Sequence, residues 1–183
     1  MKRSSTLPLL ALAVAACSDP ATGPSAAPTE RLAAMAVDAS SAPKCTHLQT
    51  GAPGCTIDGL SVSCSSYELA GVGNANARAT LDVVHSAIVD CRNHGGKVVP
   101  VKAQAATASF STGQLEPKNG RLTVPALSSG GAVPSPDAFT AQATCPNGNW
   151  TKEVRAGSLS LASYTYALTF AGFGSPYILI TGP

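Results

Sequence analysis

The chain has 183 residues, of which only 12% are charged, and a formal net charge of +2 at neutral pH. That excess is too small to recruit nucleic acid. Lys and Arg are scattered rather than gathered into a stripe, and aromatic residues do not interleave with them as single-strand binding requires. Gly (17) and Pro (14) are plentiful and Ser, Thr, Val and Ala dominate, a composition suited to short strands joined by turns.

The N-terminus carries a basic pair, Lys2 and Arg3, then an apolar run from Leu7 to Ala16 interrupted by Pro8, ending in "VAAC", residues 14–17. A charged start, a short apolar core and small residues before a cut describe a secretory signal peptide. The run is too short to span a bilayer, which needs about 20 apolar residues. Cysteine directly after Ala15-Ala16 resembles the lipobox of bacterial lipoproteins. That resemblance implies removal of residues 1–16, acylation of the Cys17 thiol and of the new amino terminus, and a membrane as partner through a lipid anchor such as palmitate. Ser18, rather than Asp, follows; by analogy with Gram-negative sorting this favours the outer membrane.

"SDPATGPSAAPTE", residues 18–30, has no hydrophobic period and reads as a disordered tether. Together with Cys17 and the helix-compatible "RLAAMAV", it makes residues 17–44 the flexible link, with a reach of roughly 25–30 Å. Residues 45–183 are expected to form one folded domain.

Six cysteines less Cys17 leave Cys45, Cys55, Cys64, Cys91 and Cys145. Outside the cytoplasm these should be oxidised. Five is odd, so one thiol is expected to stay over, and sequence alone does not choose the pairing. Cys91 and Cys145 are the expected pair, because both border apolar strands. The other bridge is expected among Cys45, Cys55 and Cys64.

Along the domain, "GLSVSCSSYELAGVG", residues 59–73, reads as a strand ending in a glycine turn. "ARATLDVVHSAIVDC", residues 77–91, has period-two alternation with one apolar face and one mixed face. Ala79, Leu81, Val83, His85, Ala87, Val89 and Cys91 share one face, and Thr80, Asp82, Val84, Ser86, Ile88 and Asp90 share the other. "RNHGG" supplies a turn, and "KVVPV" follows as a strand that Pro100 should push to a sheet edge. "TASFSTGQLEP" is a further strand, "KNG" a strong turn, and "RLTVPAL" another strand. "SSGGAVPSP" is a loop. "CPNGNW" is a turn leading into residues 150–170, long enough for two strands, with Tyr164, Tyr166, Leu168 and Phe170 on one face. "YILI" closes the chain. No periodic helix is visible, so the expected fold is all-β, an antiparallel immunoglobulin-like sandwich of about seven strands.

"YELAGVGN", "DCRNHGG", "KNGRLTV" and "CPNGNW" occur in an order that resembles a family of small secreted bacterial proteins with C-x-N-x-G-G, K-N-G and C-P-N-x-x-W motifs. The resemblance spans roughly Cys64 to Phe170 and implies an immunoglobulin-like sandwich. It implies no particular activity. The lipobox and the extra Cys45 and Cys55 set this chain apart.

Asp82, His85, Cys91 and His94 lie close in sequence and raise the question of a metal or catalytic cluster. Zinc would use close Cys/His pairs with a second pair further on. Cys91 and His94 offer one, but Cys91 would have to stay a thiolate in an oxidising compartment. His85 on an apolar face is expected to be a hydrogen-bonded core histidine or one at a bulge, and His94 a solvated loop residue. Asp82 and His85 fall on opposite faces. No Gly-x-Ser-x-Gly nucleophile turn is present, and nothing pairs two carboxylates for sugar cleavage. No catalytic residue, metal or cofactor is therefore expected. Trp150, Tyr164 and Tyr166 are the candidates for stacking on a ligand, against the alternative that Trp150 anchors the core and the tyrosines pack with their hydroxyls outward. The reading that results is a lipid-anchored, non-enzymatic envelope module with an envelope protein or polysaccharide as partner. The alternatives are an extracytoplasmic hydrolase acting on polymers and a metal-handling lipoprotein using His85, Cys91 and His94.

Overall fold

A computed structural model describes residues 33–183. The expected signal peptide, Cys17 and most of the expected tether lie outside the described residues. In chain order the strands are β1 (Ala34–Val37), β2 (His47–Gly51), β3 (Cys55–Asp58), β4 (Ser61–Cys64), β5 (Tyr67–Ala70), β6 (Ala77–Arg92) and β7 (Val98–Ser111). They continue as β8 (Arg121–Val124), β9 (Leu127–Ser128), then, after helix α1 (Pro136–Gln142), β10 (Thr151–Val154), β11 (Ser160–Phe170) and β12 (Ile178–Gly182). All named pairings are antiparallel.

One layer runs β1-β12-β11-β6, with β7 on the far edge of β6. β10 occupies the same edge of β6 as β11: β11 pairs with Ala77–Ser86 and β10 with Val89–Arg92. The second layer consists of β2-β5-β8 and β3-β4-β9. These two ribbons are one three-stranded sheet with a break across it. Cys64 opposes Leu127 and Tyr67 opposes Val124 in the same register. The ladder fails only at Ser65-Ser66 and Pro125-Ala126, where Pro125 has no N–H to donate. Short strands thus collapse onto seven sandwich positions, β2/β3, β4/β5, β6, β7, β8/β9, β10/β11 and β12. Their order, three strands against four, is the immunoglobulin-like one, with β1 added at one edge.

The inward face is the one read from alternation. Ala77, Ala79, Leu81, Val83, Ala87, Val89 and Cys91 of β6 are buried, as are Tyr164, Tyr166, Leu168 and Phe170 of β11. Ala77, Ala79, Leu81 and Val83, with the four β11 residues, pack with Val62, Tyr67, Leu69, Leu122 and Val124 of the opposite sheet. The β6–β7 hairpin is longer than that sheet is wide. Its overhang is covered by α1, which buries Phe139 and Ala143 against Ala87, Val89 and Ala103 as a second, smaller core. The Cys91–Cys145 disulfide ties the segment after α1 to this overhang.

Several expectations are corrected. The domain begins before Cys45: "RLAAMAV" contributes β1, not a helical turn, because Ala34–Val37 completes a ladder with Ile178–Thr181. Ser41 and Ala42 are buried, and Gly71 packs where a Cβ would strike the Cys45 carbonyl. Residues 59–73 form two strands, whereas "KVVPV" and "TASFS" belong to one strand at the sheet edge that Pro100 requires. Helix α1 was unexpected; with a single buried anchor, Phe139, and Pro136 in its first turn, it is too short to display a period. The "KNG" turn is as read: Asn119 and Gly120 both take positive φ (51° and 73°), the two-residue hairpin conformation.

Candidate functional site

The Asp82–His94 segment is distributed over three environments. His85 is fully buried, and its Nε2–H donates to the Leu60 carbonyl at 3.0 Å. A carbonyl only accepts, so the proton is on Nε2, and Nδ1 is left without a partner. The residue sits where the pairing shifts: both β7 and β11 insert one extra residue opposite Val84 and His85. Asp82 lies on the outer face and accepts a hydrogen bond from Ser109. Cys91 is bridged to Cys145, and His94 is exposed in the turn closed by Gly96 N–H donating to Asn93 O at 3.0 Å. A disulfide sulfur is no thiolate ligand, so the proposed metal trio of His85, Cys91 and His94 is not assembled. Among the described residues no three His, Cys, Asp or Glu side chains converge to hold a metal ion.

The second bridge is Cys55–Cys64, across the β3–β4 pair. The leftover thiol expected from the odd count is not found, since no described cysteine, Cys45 included, is free.

The stacking candidates are also reassigned. Tyr164 and Tyr166 are 2% and 1% exposed, so neither ring offers a face to a ligand. Their hydroxyls are not uniformly outward either: Tyr166 and Tyr67 meet hydroxyl to hydroxyl at 3.0 Å inside the sandwich. The Tyr164 ring covers Gly182, its cross-strand partner, where any Cβ would collide with the ring. Trp150 is half-buried at the start of β10.

Burial holds the phenols of Tyr67, Tyr164 and Tyr166 above the ordinary value of 10.0, and Tyr166 beside it raises Tyr67 further. For a group whose folded value is raised, stability is complete below the unfolded value and falls as pH rises past it. The unfolding free energy is expected to fall as pH rises above about 10, chiefly through Tyr67 at up to about 1.4 kcal/mol per pH unit, with Tyr166 acting in the same direction. Urea titrations between about pH 9 and about pH 11 check this, and Tyr67→Phe should reduce the slope.

What alternation does not reveal is a groove on the outer face of the larger sheet. It has a volume of about 440 Å³ and is lined by Ser86, Ala87, Ile88, Pro100, Lys102, Ser158 and Ser160. Ser86 and Ser160 hydroxyls lie 3.0 Å apart, and Ser158 Oγ accepts from Ile88 N–H at 3.0 Å while donating to Arg155 O at 2.7 Å. Arg155 in turn grips Asp90 through two bonds, at 2.6 and 3.1 Å, which holds the Asp90 carboxyl below its usual range. The groove can exchange hydrogen bonds with a polar ligand and carries one ammonium group. Only the β6–β11 register brings these polar positions together. No protein-family model, curated protein or solved structure matches the chain.

Proposed function

We propose that the chain is a lipid-anchored cell-envelope protein, at the outer membrane where its host is Gram-negative, whose immunoglobulin-like domain is a non-enzymatic interaction module. The observation that carries this reading is the pair of disulfides, Cys55–Cys64 and Cys91–Cys145, behind a leader that ends at Ala16, directly before Cys17. Such bridges persist outside the reducing cytoplasm, and the leader supplies the route there. The resemblance to small secreted bacterial proteins supports the same compartment. A doubly bridged sandwich held at a membrane suits recognition of a neighbour, an envelope protein or a polysaccharide. The hydroxyl-lined groove at Ser86, Ser158, Ser160 and Lys102 is where the hydroxyls of a saccharide would be met.

Metabolic labelling with an alkyne analogue of palmitate tests the anchor. The full-length chain is expected to take up label and to fractionate with membranes. Cys17→Ala is expected to take up none and to leave the membrane fraction. Equal labelling of the two chains, or none in the natural one, would sink the proposal.

A further inference from the structure

We infer that β1 is a self-association edge, through which two copies of this chain join their larger sheets into one. Among the described residues β1 is the outermost strand of that layer, paired with β12 on one side only, and all four of its residues are exposed. Met35 and Val37 oppose the buried Ile180 and Ile178, so they point to the inner face, yet they are 53% and 51% exposed because the three-stranded layer stops short of them. A strand in this position offers an unpaired row of N–H and C=O groups, and edges are normally blunted by charge, proline or bulges.

The other edges carry such guards. β7 contains Pro100 and Lys102 and an extra residue opposite Val84/His85. β10 carries Lys152 and Glu153, the β8/β9 edge is broken by Pro125, and the β2/β3 edge is bulged after Leu48 and interrupted at Pro53. "AMAV" has none of these.

What would cover β1 follows from chemistry. The chain's own residues 18–30 include Pro20, Pro24 and Pro28, which interrupt any ladder they could offer. A bilayer would take the apolar side chains but leave the backbone edge without hydrogen-bond partners. A second β1, antiparallel about a two-fold axis perpendicular to the sheet, satisfies both requirements, and such an interface is self-complementary. The axis keeps inner residues opposite inner residues. Centring on Ala36 sets Ala36 against its own copy and Met35 against Val37, twice over.

The test uses the full-length chain bearing Ala36→Cys, with Val98→Cys, at the opposite edge, as control. Under mild oxidation the first is expected to give a covalent dimer and the second to stay monomeric. Met35→Lys with Val37→Lys, added to Ala36→Cys, is expected to abolish the dimer while the thermal melt stays within a few degrees, since both side chains are already half in water. Sedimentation velocity of the chain without the added cysteine should show reversible dimers lost in the double lysine variant. A chain that is monomeric at every concentration overturns the inference. So does a dimer that survives the lysines, or a monomer whose Met35 and Val37 instead drive binding to phosphatidylcholine vesicles. Each variant is compared with the natural chain carrying the same N-terminus, so the state of Cys17 is common to every arm.

Discussion

Replacing Cys91 and Cys145 together by alanine is expected to lower the unfolding free energy by about 4 kcal/mol. The bridge spans 54 residues of sequence, and cross-linking removes more freedom from the unfolded chain as the closed loop lengthens. The Cys55–Cys64 bridge spans only 9, so the same double replacement there should cost about 2.5 kcal/mol. Urea denaturation without reductant measures both. Equal costs would refute the loop-length account and point instead to strain or residual structure in the unfolded chain. The first pair has a second, local consequence. α1 meets the β6–β7 overhang through a small core of Phe139, Ala143, Ala87, Val89 and Ala103, and without the tie the α1 amides should exchange with solvent well before those of β6. Together the two bridges contribute about 6 kcal/mol, comparable with the whole stability of many domains. A chain retained in a reducing compartment is therefore expected to be largely unfolded there. That links the fold to the proposed location, where the two bridges would stay oxidised.

What was legible in the sequence is what periodicity and covalent chemistry report. The β6 face, the β11 face, Pro100 at an edge and the Asn119-Gly120 turn each follow from a local rule acting on a handful of residues, whereas the Cys91–Cys145 pair is one of several pairings that the sequence leaves open. The departures have local causes as well. Ala34, Met35, Ala36 and Val37 read as part of the tether because they show no alternation. Their burial is uniformly low, so nothing in their chemistry distinguishes inner from outer positions. α1 was missed because one aromatic anchor cannot set a period. The division of residues 59–73 into β4 and β5 is written in Pro125, sixty residues away, which breaks the ladder opposite Ser65-Ser66. The outer groove is a product of register: Ser86 and Ser160 face each other only because β11 pairs with β6 as it does. Chemistry that arises from pairing stays invisible until the pairing is known.

His85 gives the second large effect, and its sign depends on what replaces it. His85→Ala empties a fully buried site and strips the Leu60 carbonyl of its donor, so it is expected to cost about 3 kcal/mol. His85→Leu loses the same donor but refills most of the volume and removes the unpartnered Nδ1. Its cost should stay below about 1.5 kcal/mol. The two layers of a sandwich share no ladder, and Leu60, in the turn between β3 and β4, points its carbonyl at the larger sheet. Something on that sheet must donate to it. The paired insertions in β7 and β11 bend the layer at the point where the main core gives way to the smaller one under α1, and the imidazole is set there to reach across. In both variants the β3–β4 turn amides should exchange faster than in the natural chain, while the interior of β6 is affected strongly only in the alanine variant. If leucine proved as costly as alanine, the hydrogen bond to Leu60 would outweigh packing at this site. If neither variant changed exchange in the turn, His85 would not be what holds the hairpin to the sheet.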